Sequence, residues 1–167
     1  MTTQPVLRRA GPDDLPAIND IFNHYVERST CAYLTEPVTL GERQAWFADH
    51  GQGHPIWVVE LAGEVVGWGS LSPFHVRAAY CHTVEDSVYL RPDCLRQGLG
   101  RLLLQRLIDS ASELGHHTIV ALIDSEQEGS IALHVACGFA PVGHLREVGH
   151  KFGRWLDVVY LQLVLTA

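Results

Sequence analysis

The chain is predicted to be an α/β (α+β) protein with a mixed, mostly antiparallel central sheet of about seven strands flanked by about four helices. Three observations predict it. β-rich runs separated by turn residues follow one another up to Leu90. An apolar strand ending there passes through a short turn into Gly98-Leu99-Gly100 and a strongly amphipathic helix. Thr118 to Ile123 is then a short, continuous apolar run of the kind that pairs in parallel beneath such a helix.

Taken in order, Val6 to Arg8 reads as a short strand. Pro12-Asp13-Asp14 starts a helix whose apolar residues Leu15, Ile18, Phe22, Tyr25 and Val26 fall on one face. Thr39-x-x-Glu42 is a capping-box pattern ahead of Ala45-Trp46-Phe47, in a helix that Gly51 and Gly53 end. Ile56 to Leu61 and Glu64 to Ser72 are strands joined by the tight turn Ala62-Gly63, and His82 to Leu90 is a further strand. After the glycines, Leu99, Leu102, Leu103, Leu107, Ala111 and Leu114 form a wide apolar stripe, stopped by Gly115. Ser130 to Cys137 reads as a helix ended by Gly138, and two strands near Val142–Val148 and Trp155–Leu165 close the chain.

With 167 residues, 47% of them apolar and 19% charged, the chain reads as a single globular domain over 1–167 with material for a sizeable core. A net charge of −7 argues against a nucleic-acid partner, because phosphate backbones need a basic face. Cys31, Cys81, Cys94 and Cys137 have neither zinc-site nor disulfide-framework spacing. Met1 to Arg9 carries no apolar run of signal length, and no apolar run is long enough to span a bilayer. The expectation is a cytoplasmic protein without a membrane partner. The histidines outside the motifs, His116-His117 among them, lack trusted ligand spacing, so no metal is expected.

The segment from Val88 to Arg101 is shaped to hold a phosphate. Glycine lets the main chain approach an anion, the first N–H groups of a helix point at it, and the helix dipole adds about half a positive charge there. A dinucleotide fingerprint would need a third glycine where Leu103 stands, and a P-loop would need Gly-Lys-Ser/Thr. The segment resembles instead the acetyl-CoA pyrophosphate loop of the GNAT N-acetyltransferases, Gln/Arg-x-x-Gly-x-Gly/Ala, departing from it at Leu95. Further blocks resemble the phosphinothricin and methionine sulfoximine/sulfone branch of that superfamily. They are Asn23-His24-Tyr25-Val26 with Ser29-Thr30 and Glu36-Pro37; Arg77-x-Ala79-Tyr80-x-x-Thr83-Val84-Glu85; Leu133-His134-x-x-x-Gly138-Phe139; and Gly149-His150-Lys151-x-Gly153-x-Trp155-x-Asp157-Val158.

The resemblance implies the GNAT fold, acetyl-CoA as co-substrate, and direct attack of a small amino acid's α-amine on the thioester. Such a reaction needs a base for the ammonium proton, a proton for the departing thiolate and hydrogen-bond donors at the carbonyl oxygen. Glu85 is the expected base. Strand alternation sends Glu85 and Asp86 to opposite faces, with Ser87 and Tyr89 on the side of Glu85, and Asp86 reads as a solvated carboxylate on an exposed sheet face. His134 is the second catalytic candidate, set against the plainer reading of a satisfied core histidine. Coenzyme contacts are expected from Val88, Tyr89, Leu90, Arg96, Gln97, Gly98, Leu99, Gly100 and Arg101, with Gln127 and Ser130 beyond them. An anion contact from Arg77 and pocket walls from Tyr80, Thr83, Lys151 and Trp155 are expected for the substrate. Lys151 and Trp155 read equally as a surface cation and a sheet-packing aromatic. The resemblance also implies a homodimer. The alternatives are an N-acetyltransferase for another small primary amine and a non-catalytic acyl-CoA-binding module.

Overall fold

The computed structural model describes residues 4–165; of the N-terminal stretch read above, Met1 to Thr3 lie outside the described residues. The strands are β1 (Val6–Arg9), β2 (Ile56–Leu61), β3 (Glu64–Pro73), β4 (Thr83–Leu90), β5 (Thr118–Asp124), β6 (Ala140–Lys151) and β7 (Arg154–Val164). The helices are α1 (Leu15–Arg28), α2 (Leu40–His50), α3 (Leu99–Glu113) and α4 (Glu128–Ala136). The strands form one seven-stranded sheet in the order β1-β2-β3-β4-β5-β7-β6, in which β4–β5 alone is parallel.

Local signals account for most boundaries. Thr39 Oγ1 accepts the Glu42 amide at 3.3 Å while Glu42 Oε2 accepts the Thr39 amide at 2.8 Å, closing the capping box that starts α2. Ala62 and Gly63, at φ 52° and 83°, make the two-residue turn whose twist matches the β2–β3 hairpin. Phe152 and Gly153 turn β6 into β7 the same way, at φ 51° and 73°. β6 is longer than its apolar pattern predicts, because it runs along the sheet edge with nearly all its residues exposed.

The sheet is covered on both faces. Leu15, Ile18 and Ile21 of α1 pack on Ile56, Val58 and Trp68, with Trp46, Phe47 and Tyr89 against them. On the opposite face Leu104, Leu107 and Ala111 of α3 pack on Leu71, Val84, Ile119 and Leu161. Each fully buried leucine contributes about 1.5–3 kcal/mol relative to an exposed one. Together they fix the start of α3 just beyond the end of β4, where the functional cleft lies.

Candidate active site

The parallel β4–β5 ladder has only three pairs, Thr83↔Thr118, Val84↔Ile119 and Glu85↔Val120. Beyond Glu85 the two strands part. β4 stays paired with β3 as far as Leu90↔Gly67, and β5 stays paired with β7 as far as Asp124↔Val158. The fork opens into a cavity of about 890 Å³. Its walls are β4 from Glu85 to Leu90, β5 from Ala121 to Asp124, the start of α3, the start of α4, and Tyr25, Cys31 and Tyr33 from α1 and the loop after it.

At the α3 end Gly98 is the N-cap, at φ 81°, a left-handed conformation in which a side chain would be strained. The Leu102 amide donates to Gly98 O at 3.1 Å, which leaves the amides of Leu99, Gly100 and Arg101 without a carbonyl in their own helix. Arg96, Gly98, Gly100 and Arg101 line the cavity, so the cleft ends in helix amides and two guanidinium groups. Gln97 and Leu99 do not line it. Gln97 Nε2 reaches back to Asp93 O at 3.4 Å, and the Leu99 side chain is part of the core, which leaves Leu99 only its amide to offer. Val88, Tyr89, Gln127 and Ser130 lie in the cavity wall. Leu90 also lines it, but its carbonyl already accepts the Tyr25 hydroxyl at 2.6 Å.

Register separates the two neighbouring acids as alternation requires. Glu85 faces Ser72 on the α1–α2 side, with Ser87 and Tyr89 beyond it, whereas Asp86 faces Leu71 on the α3–α4 side. Burial, and secondarily the charge of Asp86, pushes the Glu85 carboxyl above the usual glutamate range. The expectation that Asp86 is solvated is wrong. Asp86 is 7% exposed, and its Oδ2 meets His134 Nε2 at 2.9 Å beneath α4. A helix covers the face that alternation alone left open to solvent.

His134, 4% exposed, lines the cavity with both ring nitrogens engaged, Nδ1 donating to Ser130 O at 2.8 Å. A carbonyl only accepts, so Nδ1 carries a proton; an ionised Asp86 likewise requires one on Nε2. Burial pulls the imidazole pKa down, but the hydrogen bond and charge of Asp86 and the Ser130 carbonyl outweigh it, and the net shift is upward. The ring therefore presents no nitrogen free of a partner to the cleft.

The residues expected at the substrate do not gather there. Arg77 caps a 3-10 turn, Ala78–Tyr80, before β4, and Tyr80 rests edge-on against Phe74 at 5.7 Å. This loop lies at the paired end of β4, whereas the cavity opens at the other end, so Arg77, Tyr80 and Thr83 are absent from its walls. Lys151 is neither a pocket wall nor a surface cation. It is 5% exposed and its Nζ donates to Ser29 O at 2.8 Å and Ala32 O at 2.6 Å, tying down the loop after α1. Trp155 is 63% exposed, against His150 at 4.8 Å, away from the cavity.

Residues that sequence reasoning passed over line the cavity instead. The Tyr33 hydroxyl donates to Asp124 Oδ2 at 3.0 Å, and both line the cleft. Cys31 sits in the wall from the same loop. Tyr25, read from the sequence as part of an apolar face and of a motif block but not as a site residue, lines the cavity as well. No group of three or more His, Cys, Asp or Glu among the described residues is arranged to hold a metal ion. No helix among them is long and apolar enough to cross a membrane.

The parallel β4–β5 pair and the glycine-capped helix stand where the sequence motifs put them, and comparison with known proteins agrees. The family model described as "Acetyltransferase (GNAT) family" matches residues 18–139, well over half the chain. The chain belongs to the GNAT acetyltransferase family. Its similarity to curated members of this family extends almost end to end. An L-methionine sulfoximine/L-methionine sulfone acetyltransferase of Pseudomonas paraeruginosa is 45% identical, covering 95% of this chain and 94% of the relative. A phosphinothricin N-acetyltransferase of Alcaligenes faecalis is 40% identical, covering 93% of this chain and 80% of the relative. Among solved structures, a GNAT superfamily phosphinothricin acetyltransferase of Sinorhizobium meliloti in complex with AcCoA superposes with a TM-score of 0.94 at 36% identity, covering 99% of this chain and 89% of that one.

Proposed function

We propose that this GNAT protein transfers the acetyl group of acetyl-CoA to the α-amine of a phosphinothricin-like or methionine sulfoximine/sulfone-like amino acid, as a single catalytic domain. The observation that carries this reading is the fork beyond Glu85↔Val120, which leads from the half-buried Glu85 carboxylate to the free amides of Leu99, Gly100 and Arg101. Those amides, with Arg96 and Arg101, suit a diphosphate. The pantetheine arm then runs along the Val88–Leu90 edge toward Glu85. The AcCoA complex of the Sinorhizobium meliloti relative and the activities of the two curated relatives support the assignment.

In the proposed reaction the amine, freed of a proton by Glu85, attacks the thioester carbon. The C–S bond breaks as the C–N bond is made, and the thiolate takes up the second proton, which the acylated nitrogen must lose. Glu85 suits the first step because its raised pKa makes it a better base than an exposed glutamate. His134 enters as a unit with Asp86, holding a proton in the pair rather than offering one from an open ring edge. Gln127 and Ser130 complete the coenzyme wall.

A homodimer is part of the proposal. β6 is an edge strand exposing Val142, Leu145 and Val148, and an apolar edge of this kind is covered by pairing or packing with another chain. All four cysteines are free, in keeping with a reducing cytoplasm.

One observation favours a second reading, an N-acetyltransferase for another small amine. Glu85, Asp86 and Asp124 line the forked part of the cavity, while Arg77 lies outside it. A thiol-release assay with acetyl-CoA and phosphinothricin, methionine sulfoximine, methionine sulfone and simple primary amines separates the two readings. Turnover highest with one of the first three supports the main proposal, and turnover on none of those three overturns it.

A further inference from the structure

We propose that Asp86 binds the coenzyme, its Oδ1 accepting a hydrogen bond from an amide N–H of the pantetheine arm at the mouth of the β4–β5 fork. The inference rests on the acetyl-CoA reading above and adds to the backbone contacts expected of β4 a charged side-chain contact. Three features carry it.

The first is an unpartnered acceptor. Asp86 Oδ2 is bonded to His134 Nε2 at 2.9 Å, but Oδ1 is buried with no hydrogen-bond partner among the described residues, and the side chain is only 1% exposed. Leaving a carboxylate oxygen unpaired away from water is costly, and such an atom calls for a donor that arrives with a ligand. The second is position. Asp86 is the first residue of β4 past the last β4–β5 pair, Glu85↔Val120, and it lines the cavity together with Val88, Leu90 and Ser130. Four residues of strand, about 13 Å, separate it from Leu90, where the chain turns toward the glycine loop. An arm anchored by its diphosphate at Gly98–Arg101 and delivering its thioester beside Glu85 must pass Asp86. The third is rigidity. His134 is fixed by its own helix through Ser130 O at 2.8 Å, so Nε2 pins Oδ2 and the other oxygen keeps a set direction. His134 is then a positioning residue for Asp86. The coenzyme supplies what the cleft lacks, since secondary amides donate and the carboxylate can only accept.

The experiment compares two probes by calorimetry on the full chain: acetyl-CoA, which has the arm, and 3′,5′-ADP, which has the nucleotide end without it. Asp86→Ala is expected to weaken acetyl-CoA about tenfold or more, as the loss of a hydrogen bond to a charged acceptor does, with 3′,5′-ADP unchanged. Asp86→Asn, which keeps an acceptor and the side-chain volume, is expected to fall between wild type and Asp86→Ala, and it carries the test alone if Asp86→Ala does not fold. A general disturbance of the cleft would weaken both probes equally, and that result, or unchanged acetyl-CoA binding in both variants, overturns the inference. Wild-type protein that fails to bind acetyl-CoA overturns the functional reading itself, a result distinct from a variant that fails to separate the two probes.

Discussion

The Tyr25 hydroxyl donates a 2.6 Å hydrogen bond to the carbonyl oxygen of Leu90, joining α1 to the last residue of β4. Leu90 is the point at which the chain leaves the sheet for the glycine loop, so this bond holds one arm of the fork from the helix that covers the opposite face. Burial pushes the Tyr25 hydroxyl up to about 12, so it stays protonated and donating at any physiological pH. Tyr25→Phe keeps the ring contact with Tyr89, at 5.8 Å between centroids, and removes only the tether. The net loss is about 1 kcal/mol, which lowers Tm by roughly 2–4 °C for a chain of this size. The KM for acetyl-CoA rises severalfold with kcat less affected. Unchanged KM would show that the fork holds its shape without this bond.

Glu85 should separate activity from stability. Its carboxyl is raised by burial and by the neighbouring Asp86, so the fold prefers it neutral. With the folded pKa above the unfolded value, its contribution to stability is full below the ordinary glutamate range and is lost as pH rises through the folded value. Catalysis needs the opposite state, the ionised base. The acidic limb of kcat/KM against pH is therefore expected above the usual glutamate pKa. Glu85→Gln is expected to lower kcat by about 10²- to 10⁴-fold while its Tm at pH 7 equals or exceeds that of wild type. A variant with full turnover, or a limb at the ordinary value, removes Glu85 from the base role.

Lys151 spans the gap between the β6–β7 hairpin and the loop after α1. Burial lowers its pKa, but its two carbonyl acceptors at 2.8 and 2.6 Å still suit an ammonium. Lys151→Met keeps most of the aliphatic stem and strands both carbonyls. Each of the two bonds to the charged group contributes about 1.5–3 kcal/mol, so Tm is expected to fall by roughly 6–24 °C. Because the loop carries Cys31 and Tyr33 into the cavity wall, the KM for the amine rises more than that for acetyl-CoA. A Tm within a degree of wild type would mean that the loop is held by other contacts.

Signals that act within a few residues were legible in the sequence. The Thr39/Glu42 capping box, the Ala62-Gly63 turn and the glycines at 115 and 138 each mark an end that the structure places within a residue or two. Residues whose role depends on what packs above them were not. Period two tells that Glu85 and Asp86 face apart, yet it does not say that α4 covers Asp86 and supplies His134. Lys151 next to a hairpin turn reads as solvated because its carbonyl partners lie 119 and 122 residues away. Arg77 and Tyr80 belong to a motif block that ends in Glu85, but the strand between them and the fork carries them to the opposite end of β4.

The β6 edge tests whether assembly and catalysis are linked. Gly149 of β6 lies against Tyr33; a Cβ there would come within 2.8 Å of the Tyr33 ring, so the edge strand backs directly onto a wall of the cavity. Val148, 53% exposed, is the neighbouring residue on that edge. In the proposed dimer Val148 is buried, and Val148→Glu places a carboxylate in the interface, at a cost of several kcal/mol unless it is paired. Wild-type protein is expected to elute with a light-scattering mass of twice the 18.5 kDa chain, and Val148→Glu at the chain mass with its circular dichroism unchanged. If the two subunits brace Tyr33 through Gly149, the monomeric variant also loses affinity for the amine while still binding acetyl-CoA. A wild-type protein that is monomeric at assay concentration refutes the dimer, and a monomeric variant with unaltered amine KM shows that the edge does not shape the site.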